Sequence, residues 1–182
     1  YGGISIMSEL RTNRIVPRDG LPSGSSGGII QIKSKHITDY FTSNSGTYVD
    51  ITGHNITITP TRADSKILIQ YWINWMHAGG NDTAATLRLL RNGTVIGSDS
   101  GNPMNDDRMG MITMYMAAQA HFSVSGFNYL DSPGTTSALT YKTQLHLDST
   151  SFTGGNIWGV NRYPALDDYR GSSSITAYEV SG

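Results

Sequence analysis

One segment decides the fold: Lys66-Ile67-Leu68-Ile69-Gln70-Tyr71-Trp72-Ile73-Asn74-Trp75-Met76-His77. Successive side chains of an extended chain point to opposite faces. One face of this segment therefore carries only large apolar residues, namely Ile67, Ile69, Tyr71, Ile73 and Trp75. The other face is mixed and partly aromatic, with Leu68, Gln70, Trp72, Asn74 and Met76. This alternation predicts a β-strand with one face in the domain core and the other covered by a second chain or a ligand.

Similar short alternating segments occur on both sides of this strand, separated by turn residues. The other predicted strands are Ile29–Lys33, Tyr48–Thr52, Asn55–Pro60, Ala84–Arg91, Thr94–Ile96, Met109–Ser123, Ala138–Leu147, Asn156–Val160 and Ser173–Val180. Gly53-His54 is interpreted as a turn between two strands, and Asn92-Gly93 is a strong hairpin signal. A helix is the alternative for Met109–Ser123, because Met and Ala favour helices. Eight to ten strands predict an all-β domain, a jelly roll or β-sandwich.

The first 28 residues differ from the rest of the chain. Ser8–Val16 has the pattern of one strand, and a flexible Gly/Ser linker, Ser23-Gly24-Ser25-Ser26-Gly27-Gly28, follows it. The apolar residues Leu10, Ile15 and Val16 need a partner chain to bury them. We therefore predict an assembly arm over residues 1–28 and a β-domain over residues 29–182, with a disordered tail as the alternative for the arm.

The composition limits the classes of function. The 182 residues include 13 basic and 14 acidic side chains, for a net charge of -1. This balance gives no electrostatic footprint for nucleic acid or for insertion at an anionic membrane. There are no cysteines and 21 glycines. A loop-rich chain without disulfides needs another source of stability, and oligomerisation is one such source.

Motifs for catalysis or cofactor binding are missing from the sequence. It contains no phosphate-binding glycine loop and no Gly-x-Ser-x-Gly nucleophile motif. The five histidines lack metal-ligand spacing, although His121 or His146 on a threefold axis would supply three zinc ligands. Asp106-Asp107 and Asp167-Asp168 are interpreted as solvated loop acids, with a calcium site as the alternative. We expect no enzyme activity and no cofactor.

A late loop carries the candidate binding residues. Aromatic rings stack on sugars, and arginine donates to sugar hydroxyls or carboxylates. The residues expected to contact a receptor or glycan are Trp158, Arg162, Tyr163, Tyr169 and Arg170. Packing of this loop within an oligomer is the alternative. The residues expected at subunit interfaces are Leu10, Ile15, Val16, Trp72 and Met76.

Several short stretches resemble bacteriophage fibre and other virion structural proteins, cyanophage ones among them. They are Ser8–Ile15, Ser25–Ile32, Tyr48–Gly53, Ile56–Pro60, Ser65–Ile69, Leu87–Thr94 and Ser173–Val180. The pattern is also distantly similar to trimeric jelly rolls of the C1q and tumour-necrosis-factor type.

The resemblance implies a homotrimeric fibre or spike head in the phage particle, assembled in the host cytoplasm. It implies that the arm joins other virion proteins (fibre base, tail or capsid) and that the β-domain meets a host-surface receptor or glycan. A capsid decoration or cement protein is the first alternative, and a secreted C1q-like or lectin-like module is the second.

Overall fold

A computed structural model describes residues 28–78, 83–97, 110–116, 120–148, 157–162 and 169–182. Antiparallel pairing organises the described strands into two sheets. The strands are β1 (Ile29–Ile37), β2 (Phe41–Ser43), β3 (Val49–Ile58), β4 (Lys66–Ala78), β5 (Thr83–Arg91), β6 (Thr94–Ile96), β7 (Ile112–Met116), β8 (Ala120–Asp131), β9 (Leu139–Asp148), β10 (Ile157–Val160) and β11 (Ser173–Val180). The predicted arm lies outside the described residues.

Three pairs of short strands each act as one long strand. β1 and β2 lie end to end along β11 and β10, which in turn lie end to end along β4. β6 and β7 likewise share one edge of β5. The chain therefore has eight extended segments. We number these segments 1 to 8 in chain order. Their order is 1-8-3-6 in the first sheet, where segment 6 is strand β8 at the sheet edge, and 2-7-4-5 in the second sheet. This is the jelly-roll order of a two-sheet sandwich, so the predicted fold class is confirmed.

The core lies between the two sheets. The predicted inner face of β4 is confirmed, because Ile67, Ile69, Tyr71, Ile73 and Trp75 are all fully buried. They face the equally alternating strand β9 of the second sheet, whose Leu139, Tyr141, Leu145 and Leu147 are also buried. Asn92 and Gly93 form the predicted hairpin turn, with φ angles of 49° and 88°.

Gly53 is not a turn residue between two strands, so that prediction is wrong. β3 runs through it, and the pairing of β3 with β9 shifts register between Asp50 and Asn55. Gly53 has a φ of 80°, a conformation typical of a β-bulge that bends one strand without ending it. The bulge shifts the phase of alternation, so that Ile51 before it and His54, Ile56 and Ile58 after it all face the core.

The strand interpretation of Met109–Ser123 is right, but its extent is wrong. β7 ends at Met116 and pairs with β5 in the second sheet, whereas β8 begins at Ala120 and pairs with β4 in the first. The chain crosses between the sheets in this segment. Met114 is therefore buried, while Phe122 is 48% exposed on the outside of the first sheet.

Two buried carboxylates connect the sheets and loops at one end of the sandwich. Glu179 accepts hydrogen bonds from Gln31 Nε2 at 2.6 Å, from Thr61 N at 2.7 Å and from Thr61 Oγ1 at 2.8 Å. Asp131 accepts two hydrogen bonds from Arg91 Nη1, at 2.8 and 2.9 Å. These contacts connect β11 to β1 and to the Thr61 loop, and β8 to β5 of the other sheet, without a disulfide.

His54 makes the stability of the fold dependent on pH. It is fully buried, and its Nδ1 shares a hydrogen bond with the Tyr71 hydroxyl. Burial lowers the pKa of His54 from 6.5 to about 4, and the charge of Lys35 adds to the effect. Because the pKa of His54 is lower in the folded state than in the unfolded state, the free energy of unfolding is highest above pH 6.5. It decreases as the pH falls from 6.5 to about 4. We expect a loss of roughly 3 kcal/mol over that interval.

The measurement is the urea midpoint between pH 7 and pH 3. His54→Gln should flatten the slope between pH 6.5 and 4, whereas His36→Gln, which changes an exposed histidine of β1, should keep it. A second loss should follow below pH 4.5. Burial alone would raise the pKa of Glu179, but hydrogen bonds from Gln31 and Thr61 lower it to about 2. Equal slopes in wild type and His54→Gln would contradict the assignment.

Candidate functional site

The outside of the first sheet is unusually apolar for a surface. We call the exposed large side chains there the apolar face: Ile32 (54% exposed), Trp72 (50%), Phe122 (48%), Val124 (61%) and Leu130 (51%). The β4–β8 register sets Trp72 beside Gly126 and sets Leu130 beside Leu68. No outward-facing residue from Leu68 to Met76 or from Phe122 to Leu130 is charged. Exposed apolar patches rimmed by polar residues mark sites of association.

The apolar face ends at an open strand edge. β8 pairs with β4 along its whole length, from Ala120 to Asp131. Within the described part of the chain, no strand pairs with the other edge of β8. An exposed edge of this length is a template for association with another chain.

The predicted interface residues on β4 have different outcomes. Trp72 and Trp75 lie on opposite faces as predicted, and Trp72 is exposed on the apolar face, so its role at an interface stays a prediction. Met76 is only 3% exposed in the single chain, so its prediction as a subunit contact is wrong. Leu10, Ile15 and Val16 lie outside the described residues.

The outside of the second sheet is different in character. Lys142 Nζ donates to Asp50 at 2.7 Å, and Gln144 Nε2 donates to the other carboxylate oxygen, also at 2.7 Å. The Lys142 hydrogen bond is the main cause that lowers the pKa of Asp50. Arg88 stacks 3.7 Å above the Tyr48 ring. This paired, charged surface is solvated, in contrast to the apolar face of the first sheet.

Asn161 organises a second surface feature, at the break between β1 and β2. It is 1% exposed and has a φ of 63°. Its Nδ2 donates to Ile37 O at 2.9 Å and to Asp39 O at 3.0 Å, while its Oδ1 accepts from Ser173 Oγ at 2.6 Å. Its backbone N–H donates to Asn74 O, and its backbone carbonyl accepts from Gly171 N. Asn161 therefore fixes the segments on both sides of a surface cavity.

This corner cavity has a volume of about 590 Å³ and is lined by Thr38, Asp39, Tyr40, Arg170 and Gly171. Tyr40 is 53% exposed, and the Arg162 guanidinium lies 4.5 Å from the centre of its ring. A backbone bridge between Arg162 and Arg170 brings the two arginines to the same place. The predicted residues Arg162 and Arg170 thus meet, but their aromatic partner is Tyr40, which the sequence did not indicate.

Two other predicted binding residues, Trp158 and Tyr169, are not among those that line this cavity. Trp158 is fully buried, with its ring centre 5.7 Å from that of Trp75 and 5.1 Å from that of His77. The prediction that Trp158 contacts a receptor is therefore wrong, because its ring belongs to the core. Tyr169 is exposed but packs against Phe122, with ring centres 5.2 Å apart. Tyr163 lies outside the described residues.

A metal site is not evident in the part of the chain that is described. No group of three or more potential His, Cys, Asp or Glu ligands occurs there. His146 is nearly buried, and its ring centre lies 5.0 Å from that of Tyr48, on the outside of the second sheet. The side chain of His121 and both Asp-Asp pairs fall outside the description. No helix among the described residues is long and apolar enough to cross a membrane.

The comparisons with known proteins give a likeness in structure only. No family model and no curated protein matches the chain. A structure of infectious bursal disease virus, Gx strain, is similar at 14% identity and a TM-score of 0.40 over 93% of this chain. The VP2 subviral particle of that virus gives the same identity and TM-score over 95%. The chain spans 42% of the length of each. Latent PorU from Porphyromonas gingivalis is similar at 12% identity and a TM-score of 0.26, over 86% of this chain and 14% of that one.

Proposed function

We propose that the chain is a structural protein of a phage particle that acts by assembly and surface binding rather than by catalysis. In this proposal three copies associate through the apolar face to form the head of a fibre or spike. The arm of residues 1–28 attaches the head to other virion proteins, and the corner cavity faces the host surface.

The observation that carries the proposal is the uncharged, half-exposed apolar face. Depletion of charge at the centre of a surface is what distinguishes protein interfaces from solvated surface. We infer that a second copy of this chain covers it, because the face alternates small polar residues of β11, such as Ser174 and Thr176, with the large residues of β4 and β8. Such a mixed, uncharged surface can pack against a copy of itself without burying an unpaired charge.

Removing the arm tests the connection to the particle. Deleting residues 1–27 should leave a folded β-domain, because the chain is anchored from Gly28 onward, where Gly28 O accepts a hydrogen bond from Ser181 N at 2.9 Å. The shortened chain should keep its cooperative thermal unfolding and its oligomeric mass. It should be lost from particles purified on a density gradient, in which the full chain should be present.

The position on the particle separates the candidates. Antibodies to the solvated outside of the second sheet, at Asp50 and Lys142, should label the tail or fibre of intact particles. Label spread over the head would favour a capsid decoration protein instead. Failure to find the full chain in any particle would overturn the virion role and favour a secreted C1q-like or lectin-like module.

A further inference from the structure

The corner cavity has the groups of a saccharide site. Tyr40 presents a half-exposed ring, with Arg162 stacked 4.5 Å from its centre. Such a ring is a platform for the apolar face of a sugar. Thr38 and Asp39 line the same cavity. A hydroxyl and a carboxylate beside an aromatic ring provide hydrogen-bond partners for sugar hydroxyls.

Arg170 sets the charge preference of the cavity. It is exposed, and no carboxylate among the described residues lies within ion-pair distance of it. Arg170 and Asp39 are the charged residues that line the cavity, so Arg170 is the cationic group there that can face an anionic ligand. The planar guanidinium of Arg170 matches a carboxylate, which it can hold by two parallel hydrogen bonds.

The size and rigidity of the cavity also fit a small ligand. Its volume of about 590 Å³ lies within the roughly 300–1,000 Å³ that is typical of small-molecule sites. Its walls are fixed, because Asn161 holds Asp39 O at 3.0 Å and Gly171 N donates to Asn161 O at 3.0 Å. A preformed cavity loses little entropy on binding.

We propose that the corner cavity binds a saccharide unit that carries a carboxylate, of the uronic or sialic acid type. The sugar ring packs on Tyr40, its hydroxyls bond to Thr38 and Asp39, and its carboxylate pairs with Arg170. Inorganic phosphate has no apolar face to pack on Tyr40, so it should bind more weakly than the sugar acid. This inference deepens the host-surface part of the proposed function, but it does not depend on the trimer.

The test is isothermal titration of the full chain with three probes. These are a glucuronate-containing disaccharide, the matching disaccharide with glucose in place of glucuronate, and inorganic phosphate. We expect binding of the acidic disaccharide in the millimolar range or tighter, at least tenfold stronger than that of the neutral disaccharide or of phosphate. Arg170→Gln should abolish this preference while leaving weak binding of both sugars. Tyr40→Ala should weaken both sugars at least tenfold.

The control is Arg62→Gln, which changes an exposed arginine that pairs with Asp64 outside the cavity. It should bind like wild type, and the thermal midpoints of all variants should confirm that they fold. If the neutral disaccharide bound as tightly as the acidic one, the role of Arg170 would be overturned. If phosphate bound as tightly as the acidic disaccharide, the cavity would be a general anion site and the proposal of a saccharide site would be wrong. No binding of either sugar would overturn the proposal. Light scattering on the same samples distinguishes failure of this proposal from failure of the proposed assembly. A trimer that binds no sugar would contradict only the saccharide site. A monomer that binds the sugar would contradict only the trimer.

Discussion

Replacing Asn161 with Ala should lower the free energy of unfolding by about 4 kcal/mol. The substitution leaves the buried Ser173 hydroxyl and two backbone carbonyls without their partner, and each such loss costs roughly 1–3 kcal/mol. It also places an alanine at a φ of 63°, a left-handed backbone conformation that is strained for alanine. Urea unfolding at pH 7 and fixed protein concentration measures the effect.

Two further variants separate the causes. Asn161→Gly keeps the positive φ but removes the amide, so it should lose most of the same stability. Asn161→Asp keeps the shape of the side chain but turns a carboxylate oxygen toward Ile37 O and Asp39 O. Its loss in free energy of unfolding relative to wild type should decrease as acid protonates the new carboxyl group. Asn55→Ala, at an exposed position of β3, is the control and should change stability by less than about 0.5 kcal/mol. A loss below 1 kcal/mol for Asn161→Ala would contradict the role of Asn161 as the residue that fixes the corner cavity.

Introducing lysine on the apolar face should dissociate the assembly. Val124 is 61% exposed in the single chain, so Val124→Lys has little effect on a folded monomer. In the proposed trimer the same ammonium group is buried without a partner, which costs several kcal/mol for each contact. We expect the dissociation constant to rise by at least 100-fold, so that the variant is monomeric at micromolar concentration.

A matched substitution controls for the added charge. Val95 of β6 is also an exposed valine, at 36%, but it lies on the second sheet. Val95→Lys should therefore keep the oligomeric mass of wild type. If both lysine variants behaved like wild type in light scattering, the apolar face would not be the site of association.

Alternation predicted the core of the fold well, and the reason is physical. A strand buried on one face favours apolar residues at every second position; β4 shows this pattern from Ile67 to Trp75, and β9 shows it except at the buried Thr143. β8 was missed beyond Ser123 because it is an edge strand. Its inward positions include Ser123 and Ser125, so the sequence shows no clean apolar period there.

The candidate site was predicted only in part, because it depends on contacts between distant segments. Arg162 and Arg170 stood out by their chemistry, but nothing in the sequence places Tyr40 beside them. That contact follows from the antiparallel register of β2 with β10 and from the hydrogen bonds of a single buried Asn161. Trp158 was misassigned because it lies in a short predicted strand next to a long loop, and four residues are too few to show which face of the strand turns inward.

The mass of the full chain in solution tests the central claim most directly. Sedimentation or light scattering at micromolar concentration should give three times the 19.7 kDa mass of one chain. That result would agree with a jelly roll whose apolar face is covered by copies of itself. A clean 19.7 kDa monomer under the same conditions would contradict the proposed assembly of the chain.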